Sequence, residues 1–80
     1  MPKYNKLKAA IVEAAGTQRE FARRNGFAEV RLSEIIRGKG KVPDLRELRL
    51  LADGLQVDQA SVVMLFMEDV PFSIKAGGSN

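Results

Sequence analysis

Cysteine, histidine and tryptophan are all absent from this 80-residue chain. Without cysteine there is neither a disulfide frame nor a thiolate metal site. Without histidine the commonest general base and metal ligand is gone. Aromatic residues are few, with four Phe and one Tyr. No apolar run approaches the roughly 20 residues of a membrane span, and Met1 to Ile11 has no signal-peptide core. At this length folding buries only about 60% of the unfolded chain's surface, enough for a small core but not for an enclosed catalytic cavity. The acidic residues read mostly as helix caps or ion-pair partners. An enzyme is therefore not expected, no cofactor or metal is implied, and a soluble, cytoplasmic protein is the expectation.

What is present is basic charge, unevenly placed. The formal net charge is +3, yet residues 1–50 carry 12 Lys/Arg against 6 Asp/Glu, and residues 51–80 carry 1 against 4. Basic charge gathered in one half suits a polyanion-binding face, and ordinary solvated surface charge is the competing explanation.

Apolar spacing is helical almost throughout. Leu7, Ile11 and Ala14 repeat at i, i+4 and i+7, flanked by Ala10 and Ala15, and predict a first helix that stops at Gly16. TQRE, beginning at Thr17, has the pattern of a capping box: the Thr17 hydroxyl accepts the Glu20 amide and the Glu20 carboxylate reaches back. The second helix then spans about Gln18 to Asn25 and buries Phe21 and Ala22. Gly26 provides the left-handed turn residue. A third helix, about Glu29 to Arg37, places Leu32, Ile35 and Ile36 on one face before GKG at 38–40 ends it, in a loop expected to be mobile. Asp44, with Glu47 three residues on, caps a fourth helix whose inner stripe is Leu45, Leu48, Leu51, Ala52 and Leu55. Asp58 caps a fifth, with Val62, Leu65 and Phe66 inward. Pro71 ends the helical pattern. A domain over 1–69 is therefore followed by an arm and tail over 70–80, in which Phe72 to Lys75 reads as a short extended stretch.

Residues 7–66 resemble the lambda-repressor-like helix-turn-helix domains of the Cro and Xre type. Gln18, Ala22, Gly26, Leu32 and Ile35 fall where that two-helix motif wants Gln, Ala, Gly and two aliphatics, and IIRGKGKVPDL is similar to the family's loop into its fourth helix. The resemblance implies an all-α, compact five-helix domain whose third helix enters the DNA major groove. Three positions depart from the pattern. Ala28 stands where a Ser or Thr cap is usual, Asn25 where leucine is preferred, and Gln56 where glycine often ends the fourth helix.

By the same resemblance, Glu29, Val30 and Glu34 map onto base-reading slots, with Arg31 beside them. Glutamate can accept from cytosine N4, valine can meet a thymine methyl, and a guanidinium can grip guanine O6 and N7. Each has a plainer alternative. Glu29 suits a helix N-terminus, Glu34 can pair with Arg31 or Arg37, Arg31 can serve an intrahelical ion pair, and Val30 can simply be exposed. Phosphate contacts are implied for Thr17, Gln18 and Arg19 at the start of the second helix, and for Arg37, Lys39 and Lys41 beside the groove.

Val63, Met64 and Met67 extend the apolar surface of the fifth helix most of the way round. Two coverings suit it: a second copy of the chain, or the 70–80 arm folded over. These readings converge on a dimeric repressor acting on double-stranded DNA. Its rivals are an antitoxin that binds its operator and a toxin, and an interaction module that has lost DNA binding.

Overall fold

A computed structural model describes residues 4–68, and five helices account for most of them. They are α1 (Asn5–Ala15), α2 (Gln18–Asn25), α3 (Glu29–Arg37), α4 (Leu45–Leu55) and α5 (Gln59–Glu68). The fold is all-α. The expected arm at 72–75 and the rest of 70–80 lie outside the described residues. Among the described residues no single helix is long and apolar enough to cross a membrane.

Each boundary has a local cause. Gly16, at φ +87°, ends α1, and Thr17 then opens α2 by accepting the Glu20 amide at 3.0 Å. The reciprocal half of the expected capping box is not formed. The Glu20 carboxylate turns instead to the guanidinium groups of Arg23 and Arg24, one turn along the helix. Charge-assisted bonds at i+3 and i+4 outcompete a neutral backbone amide for the same oxygens. They also hold the Glu20 carboxyl down to about 2, Arg23 acting most strongly.

Gly26 takes the left-handed conformation at φ +75°, and its amide bonds back to Ala22. Ala28 sits in the cap position of α3 with no side-chain bond to offer. Asp44 and Glu47 form a complete capping box on α4, and Asp58 caps α5 through the Ser61 amide at 2.8 Å. Gln56 closes α4 at φ +60°, a left-handed geometry that usually falls to glycine.

The core is a cluster of Leu7, Ile11, Phe21, Ala22, Leu32, Ile35, Ile36, Leu51, Ala52 and Val62. Tyr4 packs edge-on to Phe66 at 4.8 Å between ring centroids, and its backbone amide bonds to Ile36 O. Two expected core positions are corrected. Ala14 is exposed and lines an open recess against residues 54–57, too short a side chain to close it. Leu45, the first residue of α4, is 63% exposed, and the stripe is covered only from Leu48 onward.

Candidate nucleic-acid interface

Helix α3 is buried along Leu32, Ile35 and Ile36. At 100° per residue, that inward stripe leaves Val30, Ser33, Glu34 and Arg37 on the outer side, with Glu29, the first residue of the helix, toward the flank. Val30 is 71% exposed, Glu29 and Arg37 are exposed, and Ser33 and Glu34 are partly so. Ser33 joins this outer edge without having been singled out by the motif. Its signal was present, because it lies three residues after Val30, four after Glu29 and four before Arg37.

Arg31 lies at the flank of this strip and is committed elsewhere. Its Nε donates to Glu47 Oε2 at 2.7 Å, and its Nη2 donates to Glu47 Oε1 at 2.9 Å and to the Lys41 carbonyl at 3.1 Å. Glu34 Oε1 stands 3.6 Å from Nη1. The Arg31 side chain is only 16% exposed and that of Glu47 9%. Arg31, expected beside the base-reading slots, is here engaged by Glu47 and the loop and is not presented at the outer edge of the helix. A fork already holding a carboxylate and a carbonyl has its donors turned toward α4 and the loop. The guanidinium of Arg31 holds the Glu47 carboxyl down to about 2, with the Asp44 amide and Lys41 adding to it and burial opposing.

The same network fixes the loop between α3 and α4. Gly38, at φ +70°, ends α3, and the Lys39 amide bonds to Glu34 O at 2.8 Å. Gly40, at φ +72°, passes so close to α3 that a Cβ there would stand 3.3 Å from Glu34 Oε1. The Arg31 bond to the Lys41 carbonyl and the Asp44–Glu47 box complete the tether. The expected mobile loop is thus pinned at both ends and in its middle. Lys39 and Lys41 remain exposed upon it, and among the described residues Lys41 Nζ has a loose partner in Asp44 at 3.9 Å.

The structure brings the α3 strip and the 38–44 loop together as one surface. Thr17 and Arg19, both exposed, and the half-buried Gln18 stand on a different helix, at the start of α2. Arg23 and Arg24 are partly neutralised by Glu20, which leaves Arg19 as the α2 arginine without that pairing. On α5, Val63, Met64 and Met67 are all exposed.

One consequence is measurable in acid. The Glu47 carboxyl titrates near 2 in the folded chain and near its ordinary 4.5 when unfolded. A depressed folded value adds stability above the unfolded one and loses it as pH falls toward the folded one. Glu20 and Asp58 are shifted in the same direction. The melting temperature should therefore hold from about pH 7 to 5 and fall between about pH 4.5 and 2. Circular dichroism melts across that range check it, and a flat profile would contradict the assigned pairing.

No family model matches the chain, and no curated protein or solved structure matches it significantly.

Proposed function

We propose that the chain is a sequence-specific regulator that binds double-stranded DNA, with α2 and α3 acting as a helix-turn-helix and α3 entering the major groove. The observation that supports this reading is the α3 strip: a short helix braced from behind by Leu32, Ile35 and Ile36, its outer edge uncovered among the described residues, with Arg37, Lys39 and Lys41 beside it. An α-helix with its side chains is about 10–12 Å across, a fit for a groove about 12 Å wide.

In this reading Arg37, Lys39 and Lys41 neutralise phosphates on one side of the groove. The amide end of α2, with Thr17, Gln18 and Arg19, meets phosphate on the other. Specificity falls to Val30 on a thymine methyl, to Ser33 as donor or acceptor, and to Glu29 and Glu34 as acceptors from cytosine N4. Arg31 contributes indirectly by holding the loop lysines and Glu34 in place. A single module buries only about 600–1,000 Å² on DNA, so two copies on half-sites about 34 Å apart form the operator complex. The exposed α5 surface around Met64 is the pairing face, and repression by occlusion is the simplest output.

Duplex selected from a random pool, titrated across salt, is the test. Affinity should fall steeply with salt as counterions are released. Arg37→Ala and Lys39→Ala should each weaken all sequences alike and reduce the salt slope by about 1. Ser33→Ala or Val30→Ser should relax one base pair at a cost of about 1–3 kcal/mol. Failure to bind mixed duplex at micromolar protein in low salt would refute the reading.

A further inference from the structure

An open groove of about 280 Å³ lies between the 38–43 loop and α5. Its walls are largely apolar: Tyr4 and Leu48 at the base, Pro43 on the loop side, and Val63, Phe66 and Met67 along the helix. Val42, at its rim, is 84% exposed. Several large apolar side chains bordering one depression are an uncommon feature of a small surface left bare.

We propose that this groove is the seat of the chain's own residues 70–74, docked within the same molecule. Four observations favour that occupant over a second copy. Helix α5 is described to Glu68, and Met67, one residue earlier, lines the groove, so the residues that follow start from the groove's own edge. The next residues read DVPFSIK, in which Pro71 opposes further helix and Val70, Phe72 and Ile74 recur every second position. An extended segment with that period presents all three on one side, and at about 3.3 Å per residue it travels about 20 Å from Glu68 to Ile74. Asp69, at the start of that stretch, carries a charge opposite to those of Lys39 and Lys41 on the groove's lining. Finally, the short tether gives the segment a millimolar effective concentration, far above that of a second copy in dilute solution.

Docking covers Val42, Val63 and Met67 and leaves Met64, which does not line the groove, for contact with other molecules. It also braces the loop wall from the side opposite Arg31. The inference does not depend on DNA binding, and its test contains no DNA.

The chain has no tryptophan, so Phe72→Trp introduces a single reporter. Its emission should be blue-shifted, protected from a soluble quencher, and unchanged from nanomolar to high micromolar protein. Val63→Lys on the helix wall, and separately Val42→Lys on the loop rim, should each return the emission to that of exposed indole. The helical circular dichroism of both should stay intact, since both positions are exposed in the described residues. Red emission at every concentration would overturn the proposal. So would a blue shift that appears only as protein concentration rises, which would make the groove an interface between copies. Indifference of a blue-shifted reporter to both lysine substitutions would place the segment elsewhere and overturn it too.

Discussion

Glu47→Ala should destabilise the fold by about 2–4 kcal/mol, far more than the loss of a surface ion pair. Two effects add. The Asp44 amide loses the side-chain acceptor that completes its capping box, which by itself costs on the order of 1 kcal/mol. More important, Arg31 is left mostly buried with its charge matched only by the looser Glu34 carboxylate, 3.6 Å from Nη1. Removing one partner of such a pair is costly because the survivor stays desolvated, whereas replacing both by apolar residues of similar size can be neutral. Arg31→Met with Glu47→Leu should therefore recover most of what Glu47→Ala loses. Chemical denaturation of Arg31→Met, Glu47→Leu and the double variant, read as a cycle, measures the coupling. A single-variant loss below about 1 kcal/mol would mean that water reaches Arg31 freely.

Gly54→Ala carries the second large effect, and its sign is the test. In an exposed helix interior that exchange stabilises by about 1 kcal/mol, because alanine loses less backbone freedom. Gly54 lies inside α4 where α2 crosses it. A Cβ there would stand 2.5 Å from Phe21 Cζ and 2.7 Å from Asn25 Nδ2. Asn25 has a way to yield, at the loss of its bond to Phe21 O. Phe21 has none, being fully buried with the core around it. Overpacking of that kind costs about 1–3 kcal/mol, so the net change should be destabilising and should grow further for Gly54→Val. A rise in melting temperature on Gly54→Ala would show that α2 and α4 separate more easily than their contact suggests.

Asn25 and Gly54 together explain a departure noted in the sequence. An asparagine stands before the turn glycine where an aliphatic was expected, and its side chain bonds to the backbone of its own helix while lying against Gly54. Neither residue alone announces this. The polar group fits because the facing position has no side chain.

The helix limits were legible because their causes are local. Thr17, Gly26, Gly38 and Asp44 each act within one turn of where they stand, and the ranges expected for α2 and α3 are those observed. What lay beyond local reading was the fate of charges and of cover. Spacing along a helix offered Arg31 only Glu34 as a partner, and Glu34 is indeed nearby, but the stronger acceptor is Glu47, sixteen residues on. No period links those positions, since a fold must first bring α4 back against α3. Glu20 had two plausible duties at three and four residues' distance, and only the competition between them decides which it performs. Likewise the spacing of Ala14 and Leu45 marks a face correctly and says nothing about how far a neighbouring helix extends over it.

The tether of residues 38–44 bears on how quickly their lysines can be used. A floppy lysine-bearing loop must surrender its backbone freedom at each encounter with an anionic partner, which slows productive capture and weakens the complex. Here Arg31, Gly40 and the Asp44–Glu47 box hold the main chain in one arrangement by hydrogen bonds and close packing, which leaves the lysine side chains as the main freedom to be lost. Under the proposed reading, capture by this surface should resemble two rigid bodies meeting, with a rate set by diffusion and ionic attraction and not by rearrangement of the loop.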